Sequence, residues 1–566
     1  MRVLILSTAF SGMAQRVLTE LKSMNHTVDE HYDLEEDFLI EQVDRFQPDV
    51  IICPFLTQRI PEVVWKNYIC LIVHPGIEGD RGPSSLDWAI SEGVDEWGVT
   101  LLQADEQYDA GDIWGTRRFP MRNASKTSIY KREVTEATIE LVKQVLNDIE
   151  RNNFTPRSLD YDSPLVKGRR RPLMKQSDRV IDWHKMGTKD VVQKLNAADS
   201  RPGVKGCING VEVNMYGAVS EPNLKGAPGD ILAIHKGAFC CATRDGAVWI
   251  KQLKCVGQEE LAPIKLPASM VLEKIGNSSQ LQSMPHIEDT HAIEEIRVET
   301  TADTAYIYFD FYNGAMNTQQ CLDLKNVIAR VKTTPIKTIV LMGGEDFFSN
   351  GIHLNCIEAS DNPAMESWDN INAIDDLVME IMDSPNHITI SAMRNNAGAG
   401  GVILGLACDE VIIRKGVVLN PHYKSMGLYG SEYWTYLLPR RVGEQKAIEI
   451  TEGCMPMLSD EAVELGLADL IFDENWESYH EHLSEYCLHL QHVVNIDEFL
   501  SAKRSKFEKQ NAVQPFSEIR KAELAIMKKT FFDPASSYHA KRRAFVYKQK
   551  AKIERTPRWE RVAQKA

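Results

Sequence analysis

Apolar positions along this chain come in blocks with two different spacings. Near the N-terminus "RVLILS" (2–7) is a short unbroken apolar run, as in a buried strand. "SGMAQRVLTELKSM" (11–24) instead repeats its apolar residues every three to four positions, as an amphipathic helix does. "DVIICPF" (49–55), "CLIVHPG" (70–76) and "GVTLLQAD" (98–105) are further buried strands, and this alternation predicts a parallel sheet with helices on its faces. Residues 152–173 turn polar and rich in Pro and Arg, which predicts a linker with its "GRRR" run as a solvated loop. From Met174 to Cys255 one helical segment, "TKDVVQKLNAA", precedes the short strands and turns of "GAPGDILAIHKGAFCCATRDGAVWIKQL", the pattern of a small β-barrel. An uneven, charged connector runs to about Glu295. Strand "TAYIYFDF", helix "TQQCLDLKNVIARV" and strand "KTIVLMGG" then open a second α/β domain, and the residues from Glu498 onward form basic helices. The predicted architecture is multidomain α/β: a Rossmann-like domain over 1–165, an OB-like β-barrel over 166–270, a connector over 271–295, a second α/β domain over 296–490 and C-terminal helices over 491–566.

Composition narrows the function. A chain of 566 residues exceeds what one core serves, so several domains are expected. The formal charge of -16 argues against nucleic acid as the main partner, because neutralising phosphates needs a broadly basic face. The eleven cysteines are scattered without metal-ligand spacing, which predicts reduced thiols, a cytoplasmic location and no metal. No stretch approaches the ~20 apolar residues of a membrane span, so no membrane association is expected.

Candidate chemistry first appears in "LIVHPGIEGDRGPSSLDWAI", where His74 follows a buried strand, and in "DAGD", which begins at Asp109. A histidine and an aspartate offered by separate strand ends can form an acid/base pair, the carboxylate orienting the imidazole and stabilising its protonated form. Singly, His74 would be a structural loop histidine and Asp109 a turn former. In combination with "GVTLLQAD", "VIDWHKM" and "PGDILAIHKGAFCCATRDGAVWI", they make the first half of the chain resemble the folate-dependent formyltransferases. The resemblance implies that His74 and Asp109 are catalytic and that the segment Leu101 to Asp112 lies along the folate pocket. It also exposes a departure: the family has Asn two residues before the histidine, and this chain has Ile72, which cannot donate a hydrogen bond to a formyl oxygen. A different acceptor, such as a thiol, is one way to accommodate that loss.

The second α/β domain carries "EDFFSNGIHLN", "AMRNNAGAGGVILGLACD" and "LPRRVGEQKAIEITEGCMPMLSDEAVELGLADLIF" in that order. This resembles the crotonase (enoyl-CoA hydratase/isomerase) superfamily, in which two backbone N–H groups bind a thioester oxygen. The resemblance places them at Ile352 and Gly400. It implies coenzyme A as a ligand, but the positions of the two hydratase carboxylates hold Ile403 and His422. A new acid/base set would come from His422, Tyr423, Tyr429 and Glu432, although Glu432 is equally placed to cap a helix start and the tyrosines to fill a core. The basic residues Lys541, Arg542, Arg543, Lys548, Lys550 and Lys552 are candidates for coenzyme A phosphates, as in that superfamily's last helix.

The two halves in this order are similar to the HypX/HoxX family of hydrogenase-maturation proteins. That resemblance implies a 10-formyltetrahydrofolate site feeding a coenzyme A thioester site, with carbon monoxide for a nickel-iron hydrogenase as the product and hydrogenase assembly proteins as partners. Two alternatives stay open: a hydrolase ending in formate, and a non-catalytic folate- or CoA-binding scaffold.

Overall fold

The four apolar runs of the N-terminal domain become strands, and two strands that were not predicted join them. β1 (Arg2–Ser7), β2 (Thr27–His31), β3 (Val50–Phe55), β4 (Ile69–His74), β5 (Glu96–Gln103) and β6 (Ile113–Pro120) form one sheet in the order β2-β1-β3-β4-β5-β6. The protein's structure, a computed structural model, describes residues 1–549 apart from 33, 165, 258–260, 277–292, 474 and 494. Strands β1 to β4 run parallel, with the helices Gly12–Ser23 and Glu36–Phe46 as their first crossovers. The sheet is not parallel throughout, however: β5 is antiparallel to β4, and β6 to β5. Residues 104–112, which join β5 to β6, are too few for the dozen or so that a parallel crossover needs, so these strands make a hairpin.

The segment 152–173 is not a free linker. Arg157 holds Glu78 through its two terminal guanidinium nitrogens, at 2.6 and 2.5 Å, and pairs with Ile113 as an isolated bridge; Arg170 pairs likewise with Arg81. Arg171 reaches Glu92 at 2.7 Å and lies over the Trp97 ring, with only 12% of its side chain exposed, so the last arginine of "GRRR" is not solvated. The acids that hold these arginines are about eighty positions away, which local composition does not reveal.

The next domain is an antiparallel sheet whose strands lie in the spatial order Val204–Ile208, Val211–Glu221, Ala247–Cys255, Ala238–Ala242, Ile231–His235, with Leu266–Pro267 added beside Ala247–Cys255. Trp249 is wholly buried at its centre and donates its indole N–H to Glu221 Oε2 at 2.7 Å.

The chain divides into two compact units at Ile293/Glu294. In the second unit, Ile296–Thr301, Thr304–Phe309, Thr338–Gly343, Ile388–Met393, Glu410–Arg414 and Leu470–Phe472 lie side by side in chain order; the first pair is antiparallel and the rest are parallel. Helices Thr318–Val331, Pro363–Met382 and Phe516–Phe532 cover one face, contributing Leu324, Ile328, Ile374, Val378, Met527 and Phe531 to a common core. No described helix is long and apolar enough to cross a membrane.

Trp249→Phe keeps the ring volume largely in place but deprives Glu221 of its indole donor. It should destabilise the protein by about 1–3 kcal/mol in urea unfolding.

Candidate active sites

The first site grows from the end of β4. His74 stands opposite Thr100 and Ile72 opposite Leu102, so these four side chains share a face, while Val73 and Leu101 point to the other. The loop 104–112 leaves β5 at Gln103, level with Leu71, and folds back until Asp109 Oδ1 is 3.5 Å from His74 Nδ1. Asp109 holds a left-handed backbone (φ 54°), a strain of roughly 1–3 kcal/mol of the kind that concentrates at functional sites. Its Oδ2 accepts the Gly82 N–H at 3.2 Å, and Arg81 braces the loop by donating to Gln107 Oε1 and the Tyr108 carbonyl.

A third member of this site escaped the sequence-based expectation. Asp80 Oδ2 lies 3.0 Å from His74 Nε2, so the ring faces a carboxylate at each nitrogen. Asp80 is buried, with Arg171 Nη1 3.6 Å from its other oxygen. A Cβ at Gly76 would overlap His74 Nε2 and come within 2.6 Å of Asp80 Oδ2, which explains the glycine. Burial is the largest influence on His74 and favours the neutral ring. The bond to Asp80 and the charges of Asp109 and Asp80 together outweigh it and raise the imidazole's pKa above its usual value.

Two folate-pocket candidates behave differently. Leu101 is wholly buried on the sheet face opposite His74, so its side chain is core and not pocket wall, a correction that follows from strand alternation. Asp112 is exposed and accepts the Ser158 hydroxyl at 2.8 Å. Ile72 packs beside Leu4, Leu6, Ile51 and Cys53 and brings no donor toward His74.

The second site is assembled from three pieces of chain. The strand Gly351–Ile352 pairs with Ala315–Met316, and a Cβ on Gly351 would lie 3.5 Å from the Gly400 nitrogen, so the two predicted amide turns are neighbours. Gly400 opens the helix Gly400–Leu406, where an N–H has no partner within the helix. A Cβ at Gly400 would overlap Glu432 Oε1. The candidate carboxylate therefore sits directly against the glycine turn, while Ile403, where the crotonase resemblance would place a hydratase acid, is wholly buried in the core.

Glu432 and Tyr433 are both left-handed, with φ 59°. Two buried carboxylates hold them there. Glu432 N–H donates to Asp375 Oδ1 at 2.8 Å and Tyr433 N–H to Glu523 Oε2 at 2.9 Å, while Ser431 Oγ donates to Asp375 Oδ2 at 2.8 Å. Glu523 also takes the amide and hydroxyl of Thr435, so it caps the helix Trp434–Val442. That was the role open to Glu432, which is thereby released from it. Glu432 Oε2 accepts the Tyr423 hydroxyl at 3.0 Å and the Ser431 N–H at 2.8 Å; its Oε1 has no hydrogen bond among the described residues.

Of the four acid/base candidates, Glu432 and Tyr423 come together. Tyr429 is 36% exposed and packs edge-on against Trp434, and His422 is partly buried with its amide on the Asn420 carbonyl. Asp375 and Glu523 were not anticipated. Their one signal is an acid on an apolar helical stripe: Asp375 among Ile371, Ile374 and Val378, and Glu523 between Ile519 and Met527. Burial first, and then the charge of Asp375, push Glu432 up to about 8. Burial likewise raises Asp375 and Glu523, each to about 7. Arg520 Nε, 3.6 Å from Asp375, offsets part of this.

The basic cluster is corrected at one residue. Arg542, on the helix Ser537–Val546, is buried, donates to Glu358 Oε2 at 2.7 Å and lies over Tyr538, because an acid inside the fold claims its charge. Lys541, Arg543 and Lys548 are exposed, although Arg543 Nε also donates to Glu358 Oε1 at 3.2 Å, while Lys550 and Lys552 lie outside the described residues.

The three raised carboxyl groups set the sign of a pH effect. Their folded pKa values exceed the unfolded ones, so the folded chain binds more protons between about pH 4 and 8, and stability falls as pH rises through that window. Glu432→Gln removes one such group. Its urea midpoint should fall less than the wild-type midpoint between about pH 5 and 8.5.

Comparison with known proteins agrees with both halves. A formyl transferase model matches residues 11–146, a formyl transferase C-terminal domain model 173–265 and an enoyl-CoA hydratase/isomerase model 301–556. The hydrogenase maturation factor HoxX of Bradyrhizobium diazoefficiens is 40% identical over 97% of this chain and 95% of its own length. HypX from Aquifex aeolicus, solved in complex with tetrahydrofolic acid, is 43% identical with a TM-score of 0.91, covering 97% of each chain. Methionyl-tRNA formyltransferase of Thermotoga neapolitana is 27% identical over 42% of this chain and 74% of its own. With formyltransferase and crotonase domains joined in this order and full-length similarity at both levels, the chain belongs to the HypX/HoxX family of hydrogenase maturation factors.

Proposed function

We propose that this protein makes carbon monoxide for nickel-iron hydrogenase maturation in two steps. In the first, the formyl group of 10-formyltetrahydrofolate passes to the thiol of coenzyme A: the N10–C and S–H bonds break, and the S–C and N10–H bonds form. His74 and Asp109 assist this transfer, and the Aquifex HypX, solved in complex with tetrahydrofolic acid, supports a folate as a ligand here. In the second step formyl-CoA loses its formyl proton and its thiolate, which recombine as free coenzyme A while carbon monoxide departs. The balance needs no water and no oxidant.

The position of Glu432 carries this assignment. Its Oε1 lies against Gly400, where the crotonase fold binds a thioester oxygen, and the position of a hydratase acid holds Ile403 instead. The amides of Ile352 and Gly400 would stabilise negative charge on the formyl oxygen. Glu432, raised to about 8, is a stronger base than an ordinary carboxylate once ionised, suited to taking the formyl proton and returning it to the departing thiolate. Tyr423 orients its other oxygen. Lys541, Arg543 and Lys548 are exposed and would meet the phosphates of coenzyme A, Arg543 while also holding Glu358.

The deciding experiment incubates the pure protein with 10-formyltetrahydrofolate and coenzyme A and measures carbon monoxide, formate and tetrahydrofolate. Carbon monoxide with matching tetrahydrofolate is expected; formate alone would identify a hydrolase, and no turnover a binding scaffold. His74→Ala and Asp109→Asn should abolish tetrahydrofolate release. Glu432→Gln should spare that release yet lower carbon monoxide formation on the order of 10²-fold or more, with formyl-CoA accumulating.

A further inference from the structure

Ile72 leaves the first site without the amide that would hold a formyl oxygen, and Asp80 bears on what replaces it. A neutral imidazole has one N–H and one bare nitrogen, so a ring with a carboxylate on each side satisfies both only when both nitrogens carry protons. His74 is in that position, with Asp80 Oδ2 at 3.0 Å from Nε2 and Asp109 Oδ1 at 3.5 Å from Nδ1. The charged and polar groups facing it come from every side of the site. Asp80 lies on the loop after β4, Asp109 on the β5–β6 loop and Arg171 behind Asp80 on the segment 152–173. Thr100 stands across β5, its hydroxyl committed to the Gly76 carbonyl at 2.8 Å. Asp80 Oδ1 is buried without a hydrogen-bond partner, as are Nε and Nη1 of Arg171, and Nη1 stands 3.6 Å from that oxygen, so a small movement of Asp80 away from the ring would tighten this ion pair into a hydrogen bond.

We propose that Asp80 is a positioning residue that, together with Asp109, keeps His74 as an imidazolium, making His74 a cationic hydrogen-bond and proton donor instead of the base of the formyl transfer. This rests on the formyl-transfer function proposed above. His74 Nε2–H then takes the place of the missing amide at the formyl oxygen, Asp80 turns to Arg171 as the donor enters, and the proton passes to the departing N10. The thiol's proton restores the imidazolium, so the cycle consumes and releases none. The raised pKa of His74 agrees with this geometry.

Two measurements test it. In the wild-type protein, His74 is followed by NMR, its ring signals assigned by their loss in His74→Gln; it should be protonated at pH 7, and a neutral His74 there would overturn the proposal. Asp80→Asn should lower the His74 pKa by about one to three units. It should move the alkaline limb of tetrahydrofolate release to lower pH and reduce that rate on the order of 10²-fold, without changing the KM for the folate. An unchanged titration and pH profile would reduce Asp80 to a loop-shaping residue. If the wild-type protein releases no tetrahydrofolate, formyl transfer itself fails, while the NMR titration still decides the charge state of His74.

Discussion

A carboxylate inside a protein must be paired with a cation, bonded by several donors or neutralised by a proton, because burying its bare charge is too costly. Both candidate sites are organised by that constraint. In the formyltransferase domain, Asp80 and Asp109 share one imidazole, and the fold supplies Arg171 from a distant segment to face Asp80. In the crotonase domain three acids converge with one arginine at their edge, and backbone amides meet most of their demand: Glu432 N–H, Tyr433 N–H and Thr435 N–H each donate to one of them.

Those amide bonds also explain the strained backbone. Glu432 and Tyr433 hold successive left-handed conformations because Asp375 and Glu523 take their N–H groups, and the resulting turn aims the Glu432 side chain at Gly400. Glycine at position 400 is needed for the same approach, since any side chain there would occupy the space of the Glu432 carboxylate. The Glu432 carboxylate, the turn and its strain therefore form one mechanical unit, carried by the helices Pro363–Met382 and Phe516–Phe532.

The elements themselves were largely legible. Helix Thr318–Val331 and the strands Arg2–Ser7, Val50–Phe55, Thr304–Phe309 and Thr338–Gly343 follow the apolar periods closely, since burial on one face or two is what those periods encode. His74, Asp109, Ile352, Gly400 and Glu432 were reachable from short motifs. Arg542 was misjudged because a basic helix near a chain end gives no hint that Glu358, 184 positions earlier, lies beneath it. Arg171 was misjudged for the same reason, its acids lying on another part of the fold.

The sequence by itself determined most of the elements and the order of the domains, because apolar period and residue identity are local properties of the chain. Only the tertiary structure decided which acids are buried together. Asp80 beside His74, and Asp375 and Glu523 around Glu432, depend on distances set by packing, and so does the charge state that each group adopts.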